Sequence, residues 1–271
     1  MSSRRTWQVG PLTAYLLPRA PRSTEISGVA RGLGLIHDGR DLTGEGMGIG
    51  GVVLRLGGVT YFPLTTRDSL SDDGASRTFE LNGVARKMLG PLDVTGPHRF
   101  LRESLSPLYL RGGRGALAFR GLMRVRSLLI RTEYRSSERV EVCVVSYRFN
   151  GCCIEIRVSR ETGRGKLIVA NELSGTLFDS LVVGGSRIAL GPWVRCPSRT
   201  PALLSRTLGI CVRFELPEGA EAFAGREVLP PRLDWAGVDL ILDEGVLAVT
   251  YAVRICSGPS TPALESCSRA T

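Results

Sequence analysis

Lysine is nearly missing from this chain: of 35 basic residues only Lys87 and Lys166 are lysines, and the other 33 are arginines. A bias this extreme reads as codon usage rather than selection for phosphate contacts, although arginine serves such contacts well. Histidine is almost as scarce, with only His37 and His98 to act as a base. There is no G-x-S-x-G, and Ser174-Gly175 stands in the wrong order for a nucleophile elbow, so a serine or cysteine hydrolase is disfavoured. The seven cysteines include no C-x-x-C pair and no histidine at ligand spacing, which argues against structural zinc. Their odd number, and the lack of a secretory signal in MSSRRTWQVGPL, point to a reducing cytoplasm and to thiols buried as small hydrophobes. No apolar run is long enough to span a bilayer. The most apolar window, Ala236 to Ile255, is interrupted by Asp239, Asp243 and Glu244 and reads as a hairpin.

What is present in quantity is glycine, and its densest stretch organises the reading. From His37 to Thr66 the chain runs through a short acidic loop, alternating glycines and two apolar strands. Gly44, Gly46, Gly48 and Gly50 fall two apart, so in extended backbone they leave one face bare. Such a strip suits a bulged strand packed against its neighbours, or a platform for a flat ligand over Gly46 and Gly48. Gly46 to Gly51 also satisfies G-x-G-x-x-G, but a polar loop precedes it and a β-branched strand follows. That reverses the dinucleotide-binding context, so NAD and FAD are discounted; a Walker A loop is excluded because no Lys-Ser/Thr follows. No cofactor is called for.

Along the rest of the chain, Leu12–Leu17 and Glu25–Ile36 suit strands, Arg67–Ser76 is a polar loop, and Thr78–Leu81 with Val84–Met88 form a hairpin across Asn82-Gly83. Pro97–Leu110 is the best helix candidate, and Ala116–Arg131 leans to strand. Val140–Val158 is a hairpin through Asn150-Gly151, pairing Phe149 with Cys152 and Tyr147 with Ile154, with one wholly apolar face. Lys166–Ala170, Leu181–Trp193, Leu208–Leu216 and Val238–Ile255 add further strands around turn signals, and Arg195–Thr207 is a loop. The total is roughly 14 to 18 short strands with at most one or two short helices. A sheet of that size must close or fold over. The expected fold is therefore all-β, mainly antiparallel, a large two-sheet sandwich or supersandwich over residues 1–256, with 257–271 a disordered tail. In size and strand number the outline resembles the galactose-mutarotase-like β-supersandwich. The resemblance implies two large packed sheets and carries no functional residue with it.

Three acidic groups are candidates for chemistry. His37, Asp38, Asp41 and Glu45 crowd the mouth of the glycine run, where they either act on a ligand or cap turns. Asn171-Glu172, with Asp179, follows a buried-looking strand and is placed at a sheet rim. Asp234-Trp235 and Asp239 follow Pro230-Pro231, and with Trp193 they suit sugar recognition: an aromatic face stacks on a pyranose while carboxylates accept its hydroxyl hydrogens. Two carboxylates working as acid and base need no histidine. The leading functional expectation is thus a carbohydrate-active or carbohydrate-binding protein. Glu45, Glu172, Asp234 and Asp239 are its acids, and Trp193 and Trp235 its stacking surfaces in one concave cleft. The alternatives are a non-catalytic assembly module pairing through strand edges, and a polyanion binder. For the latter, residues Arg99 to Lys166 hold 15 basic and 6 acidic residues, the whole of the net charge of +9, with Arg120, Arg124, Arg126 and Arg131 interleaved with aromatics.

Overall fold

The computed structural model describes residues 5–21, 26–97, 129–229 and 233–257. In these, extended backbone dominates. The first strands are β1 (Thr6–Val9), β2 (Leu12–Leu16), β3 (Leu33–His37), β4 (Arg40–Asp41), β5 (Gly48–Leu56), β6 (Val59–Leu70), β7 (Gly74–Leu89) and β8 (Leu92–Asp93). After the undescribed stretch come β9 (Ile130–Asn150), β10 (Cys153–Arg160), β11 (Lys166–Ser174), β12 (Ser180–Val183), β13 (Ser186–Ala189) and β14 (Val194–Arg195). The last are β15 (Ala202–Ser205), β16 (Ile210–Glu215), β17 (Glu221–Leu229), β18 (Leu233–Leu242) and β19 (Ala248–Ser257). All their ladders are antiparallel, as the abundance of short turns demands.

Pairing runs β14–β17–β18–β11–β5 through one layer, turns the corner by the β5–β6 and β6–β7 hairpins, and continues β7–β9–β10–β19–β16–β15–β12–β13 through the other. The two layers face each other over one apolar core. Alternation supplies it: Leu167, Val169 and Leu173 of β11, with Val238 and Leu240 of β18, point inward against Val145, Ile156, Val253 and Phe214 of the opposite layer. Each such side chain contributes roughly 1.5–3 kcal/mol on burial. The all-β expectation is met, with two long strands, β7 and β9, carrying the sheet around the corner.

Several sequence expectations are corrected. Asn82-Gly83 is no turn; it lies inside β7, where β9 carries three extra residues between Glu141, the partner of Leu81, and Ser136, the partner of Gly83, and Leu64 occupies the space a side chain at position 83 would need. Asn82 instead accepts the Leu64 N–H (3.1 Å) and donates to Thr65 (3.1 Å). Arg67–Ser76 is mostly strand, its polarity reflecting solvent on the exposed end of β6. The second early strand starts at Leu33 rather than Glu25, and β15 lies within the expected loop Arg195–Thr207. The β9–β10 hairpin turns at Gly151-Cys152, pairing Phe149 with Ile154 and Tyr147 with Ile156. Glycine at the first central position, at φ +56°, is the type II′ arrangement. The two-residue difference in register keeps every side chain on its expected face. Asp243-Glu244-Gly245 does not close a hairpin: β18 pairs with β11 and β17, β19 with β10 and β16, so this connection passes between layers. All but the first residue of the expected helix Pro97–Leu110, nearly all of Ala116–Arg131 and the tail from 258 onward lie outside the described residues.

Candidate functional site: paired acids on an outer sheet face

The outward face of β5–β11–β18–β17 is not a plain solvent face. By register, Ile168, Ala170, Glu172 and Ser174 stand beside Ile241, Asp239, Gly237 and Trp235, and these beside Glu221, Phe223, Gly225 and Glu227. These side chains are buried or half-buried, because two segments wall the face. Gly44 to Met47 crosses over β11: a Cβ at Gly46 would stand 3.0 Å from Glu172 Cβ, and one at Gly44 3.3 Å from Ser174 Cβ. On the other side the backbone of Pro192-Trp193 closes on Gly225, 2.6 Å from where a Cβ would lie. A cavity of about 170 Å³ lined by Arg55, Lys166, Ile168, Glu221, Phe223 and Ile241 opens farther along the same face.

Glu172 sits here because the glycine run bulges. β5 pairs Gly51 with Ala170 but Ile49 with Asn171, leaving Gly50 as the extra residue at φ +72°. Its N–H donates to Asn171 Oδ1 (3.1 Å), and Tyr251 of the opposite layer donates its hydroxyl to the same oxygen (2.6 Å). Asn171 Nδ2 donates to Val238 O (2.8 Å). A fully buried amide thus clamps three strands on the core side. On the opposite side of the same backbone the Asn171 N–H donates to Asp239 Oδ1 (3.2 Å), and the Met47 N–H donates to Glu172 Oε2 (2.7 Å).

One backbone donor each does not offset loss of water. Burial pushes the Glu172 carboxyl up to about 7, opposed by the Met47 N–H and reinforced by the charge of Glu227. Burial also raises Asp239 well above the usual carboxylate range. The Glu172 charge raises it further, the Asn171 N–H opposes this, Glu227 adds to it and Arg55 opposes it. Two carboxyls on adjacent strands, each with raised proton affinity, resist ionising together near neutrality. Such a pair can donate a proton and accept one at the same site.

The sequence candidates divide accordingly. Glu172, Asp239 and Trp235 share the recess, and Glu45 lies in the wall loop between the two glycines that cross Glu172 and Ser174. Gly46 belongs to that wall, while Gly48 pairs with Glu172 at the start of β5. Trp193 joins the opposite wall by its backbone. Asp234 points to the other face, where Arg226 grips both its oxygens, so it is a structural ion pair. His37 ends β3 opposite Arg40 and Asp38 opens the β3–β4 turn with Gly39, His37 Nδ1 3.4 Å from Pro11 O and Nε2 3.6 Å from Asp38 Oδ2. Asp41 accepts the Thr43 N–H (2.8 Å), a turn cap. Asp179 accepts from Ser180, Arg187 and the Arg206 N–H and belongs to the far layer. Asn171-Glu172, expected at a rim, lies in mid-strand. Glu227 was not among the sequence candidates; it stands opposite Trp235 because β17 and β18 are joined through three residues, so that Leu229 pairs with Leu233, a register the Pro230-Pro231 signal alone does not give. Among the described residues no three potential ligands cluster around a metal position.

The fold and site define an antiparallel two-layer β protein with a carboxyl pair recessed on one outer face. No family model matches the chain, and no curated protein does. Among solved structures it is similar in outline to a galactose mutarotase-like protein from Lactobacillus casei, at 10% identity and TM-score 0.46, covering 94% of this chain and 100% of that one. A candidate aldose 1-epimerase from Escherichia coli gives 10% identity and TM-score 0.45, covering 94% and 99%. A glycosyl hydrolase family 38 protein from Enterococcus faecalis gives 7% and 0.44, with 94% of this chain spanning 30% of that one.

Proposed function

We propose that this chain is a carbohydrate-active protein that binds a sugar in the recess and moves protons with Glu172 and Asp239. The observation that carries the reading is the placement of both carboxyls on adjacent strands of one walled face, with raised proton affinity and Trp235 on the same face. A half-buried indole offers a flat apolar surface to a pyranose, and carboxyls match its hydroxyls. The chemistry that suits a pair with one carboxyl protonated and the other ionised is proton transfer at a hemiacetal. The ionised carboxylate takes a proton from one oxygen, the protonated partner gives one to the other, and the C–O bond between carbon and the newly protonated oxygen breaks. Nothing is consumed, and the reverse transfer restores both groups. In this reading Glu45, in the wall loop, contacts the substrate, and the charge of Glu227 raises the proton affinity of the pair.

The test combines binding and rate. Common hexoses are screened by thermal shift, since a ligand of the native state raises its apparent stability, and exchange between anomers is followed by NMR. A sugar that raises Tm is expected, with exchange that falls about 100-fold or more in both Glu172→Gln and Asp239→Asn. Absence of any sugar effect, or full activity in both variants, would overturn the proposal.

A further inference from the structure

On the opposite exterior of the sandwich, four of the seven cysteines gather at one end of the second layer. Cys211 of β16 and Cys256 of β19 are direct cross-strand partners. Cys152 and Cys153 are in the neighbouring β9–β10 turn region, where Cys153 pairs with Arg254 and the Ile255 N–H donates to Cys152 O (2.8 Å). Alternation explains why Cys211 and Cys256 are not core thiols: Val212 and Phe214 of β16 and Val253 and Ile255 of β19 point inward, so Cys211, Arg213, Cys256 and Arg254 share the outer side. Directly opposed residues of an antiparallel pair have Cα atoms about 4.5 or 5.5 Å apart, and a disulfide needs roughly 4.4–6.8 Å. The backbone already satisfies that need.

We propose that Cys211 and Cys256 are a redox-responsive dithiol that low-molecular-weight disulfides such as oxidised glutathione convert to a cross-strand disulfide, Cys256 reacting first. The two thiols differ in environment. Cys211 is buried, whereas Cys256, its direct cross-strand partner, is half-buried. The groups facing Cys256 are the Cys211 thiol, Arg213 and Glu215 from β16 and Arg254 on its own strand, and Glu215 is itself held by Arg254 (2.5 Å). The neighbouring Cys211 thiol first, then the two arginines, pull the Cys256 thiol down to about 6, against burial and Glu215.

The steps balance without another reagent. The Cys256 thiolate attacks one sulfur of the oxidised glutathione, forming a mixed disulfide and releasing one glutathione thiolate. Cys211 then loses its proton to solvent and attacks the Cys256 sulfur, closing the protein disulfide and releasing the second glutathione. The protein gives up two electrons, the reagent gains them, and excess reduced glutathione reverses both steps. The new bond would bracket residues 212–255, the segment that brings β17 and β18 with Glu227 and Asp239 into the first layer.

The test treats the reduced full-length protein with oxidised glutathione, stops the reaction by acid and alkylation at intervals, and maps the linkages by peptide mass spectrometry. The expected result is a Cys211–Cys256 crosslink, preceded by a glutathione adduct on Cys256 whose rate is half-maximal near pH 6 and which accumulates in Cys211→Ser. Cys256→Ser abolishes the crosslink and leaves Cys211 unmodified. Adducts confined to Cys152, Cys153 or Cys267, or a Cys256 rate that rises only in the ordinary thiol range near pH 8.5, would overturn it. The wild-type mapping decides the matter even if a serine variant misfolds.

Discussion

At Glu172 the cost of the site is visible in one residue. Its carboxyl titrates at about 4.5 when unfolded and about 7 in the native chain. Between those values the native state holds a proton that the unfolded chain has released. Stability is therefore full below about pH 4.5 and falls as pH rises toward 7. A shift of this size corresponds to a loss on the order of 1–3 kcal/mol once partial solvent contact is allowed for. Glu172→Gln keeps an oxygen for the Met47 N–H and removes the charge. Its urea unfolding free energy is expected to decline less than wild type from pH 5 to 8 and to exceed it at pH 8; parallel pH profiles would show that Glu172 carries no such cost. A residue that destabilises its own fold at neutral pH is what a reactive carboxyl looks like. The sequence offered Glu172 as a candidate but placed it at a rim, because Asn-Glu after an apolar strand also reads as a turn. What distinguishes mid-strand from rim is the Gly50 bulge opposite, which belongs to another part of the chain.

At the level of elements, the bulge in β5 is the device that arranges the site. A methyl group at Gly50 would meet the Tyr147 hydroxyl at 2.8 Å while the backbone holds φ at +72°. Gly57, at φ +56°, has nothing within 4 Å of the same position. Gly50→Ala is accordingly expected to cost about 2–4 kcal/mol, adding steric conflict to backbone strain. Gly57→Ala should cost only about 1 kcal/mol. Chemical denaturation of both separates the two contributions, and equal losses would remove the packing argument. The bulged-strand alternative for the glycine run was readable from its spacing; the partner that makes the bulge useful, Asn171, was not. The β9–β10 hairpin shows the limit of local signals from the other side. Asn150-Gly151 located the turn to within one position, and because the error in register was even, the apolar face survived it. At Asn82-Gly83 the same dipeptide signal was overruled by long-range pairing of β7 with both β6 and β9.

For the whole molecule, charge and layering decide what meets what. Of the basic surplus between residues 99 and 166, Arg99, Arg102, Arg111, Arg114, Arg120, Arg124 and Arg126 against Glu103 supply six charges, all in a stretch outside the described residues. Arg131 and Arg135, by contrast, are both engaged by Glu133, at 2.6 and 3.5 Å. If heparin retains the protein, replacing Arg120, Arg124 and Arg126 together by Gln should lower the eluting salt concentration, whereas Arg131→Gln should change it little. Equal effects would place the polyanion contact on the sheet itself. Among the described residues no helix is long and apolar enough to cross a membrane. The sequence by itself determined the all-β class, the antiparallel pairing and which face of most strands is apolar, because alternation and turn chemistry act over a few residues. Only the tertiary structure decided that Glu172 and Asp239 share a recess while Asp234 turns away to Arg226. It also decided that Glu227 joins them and that Cys211 meets Cys256. Those meetings depend on the register of strands distant in the chain, and a one-residue slip sends a side chain to the other face.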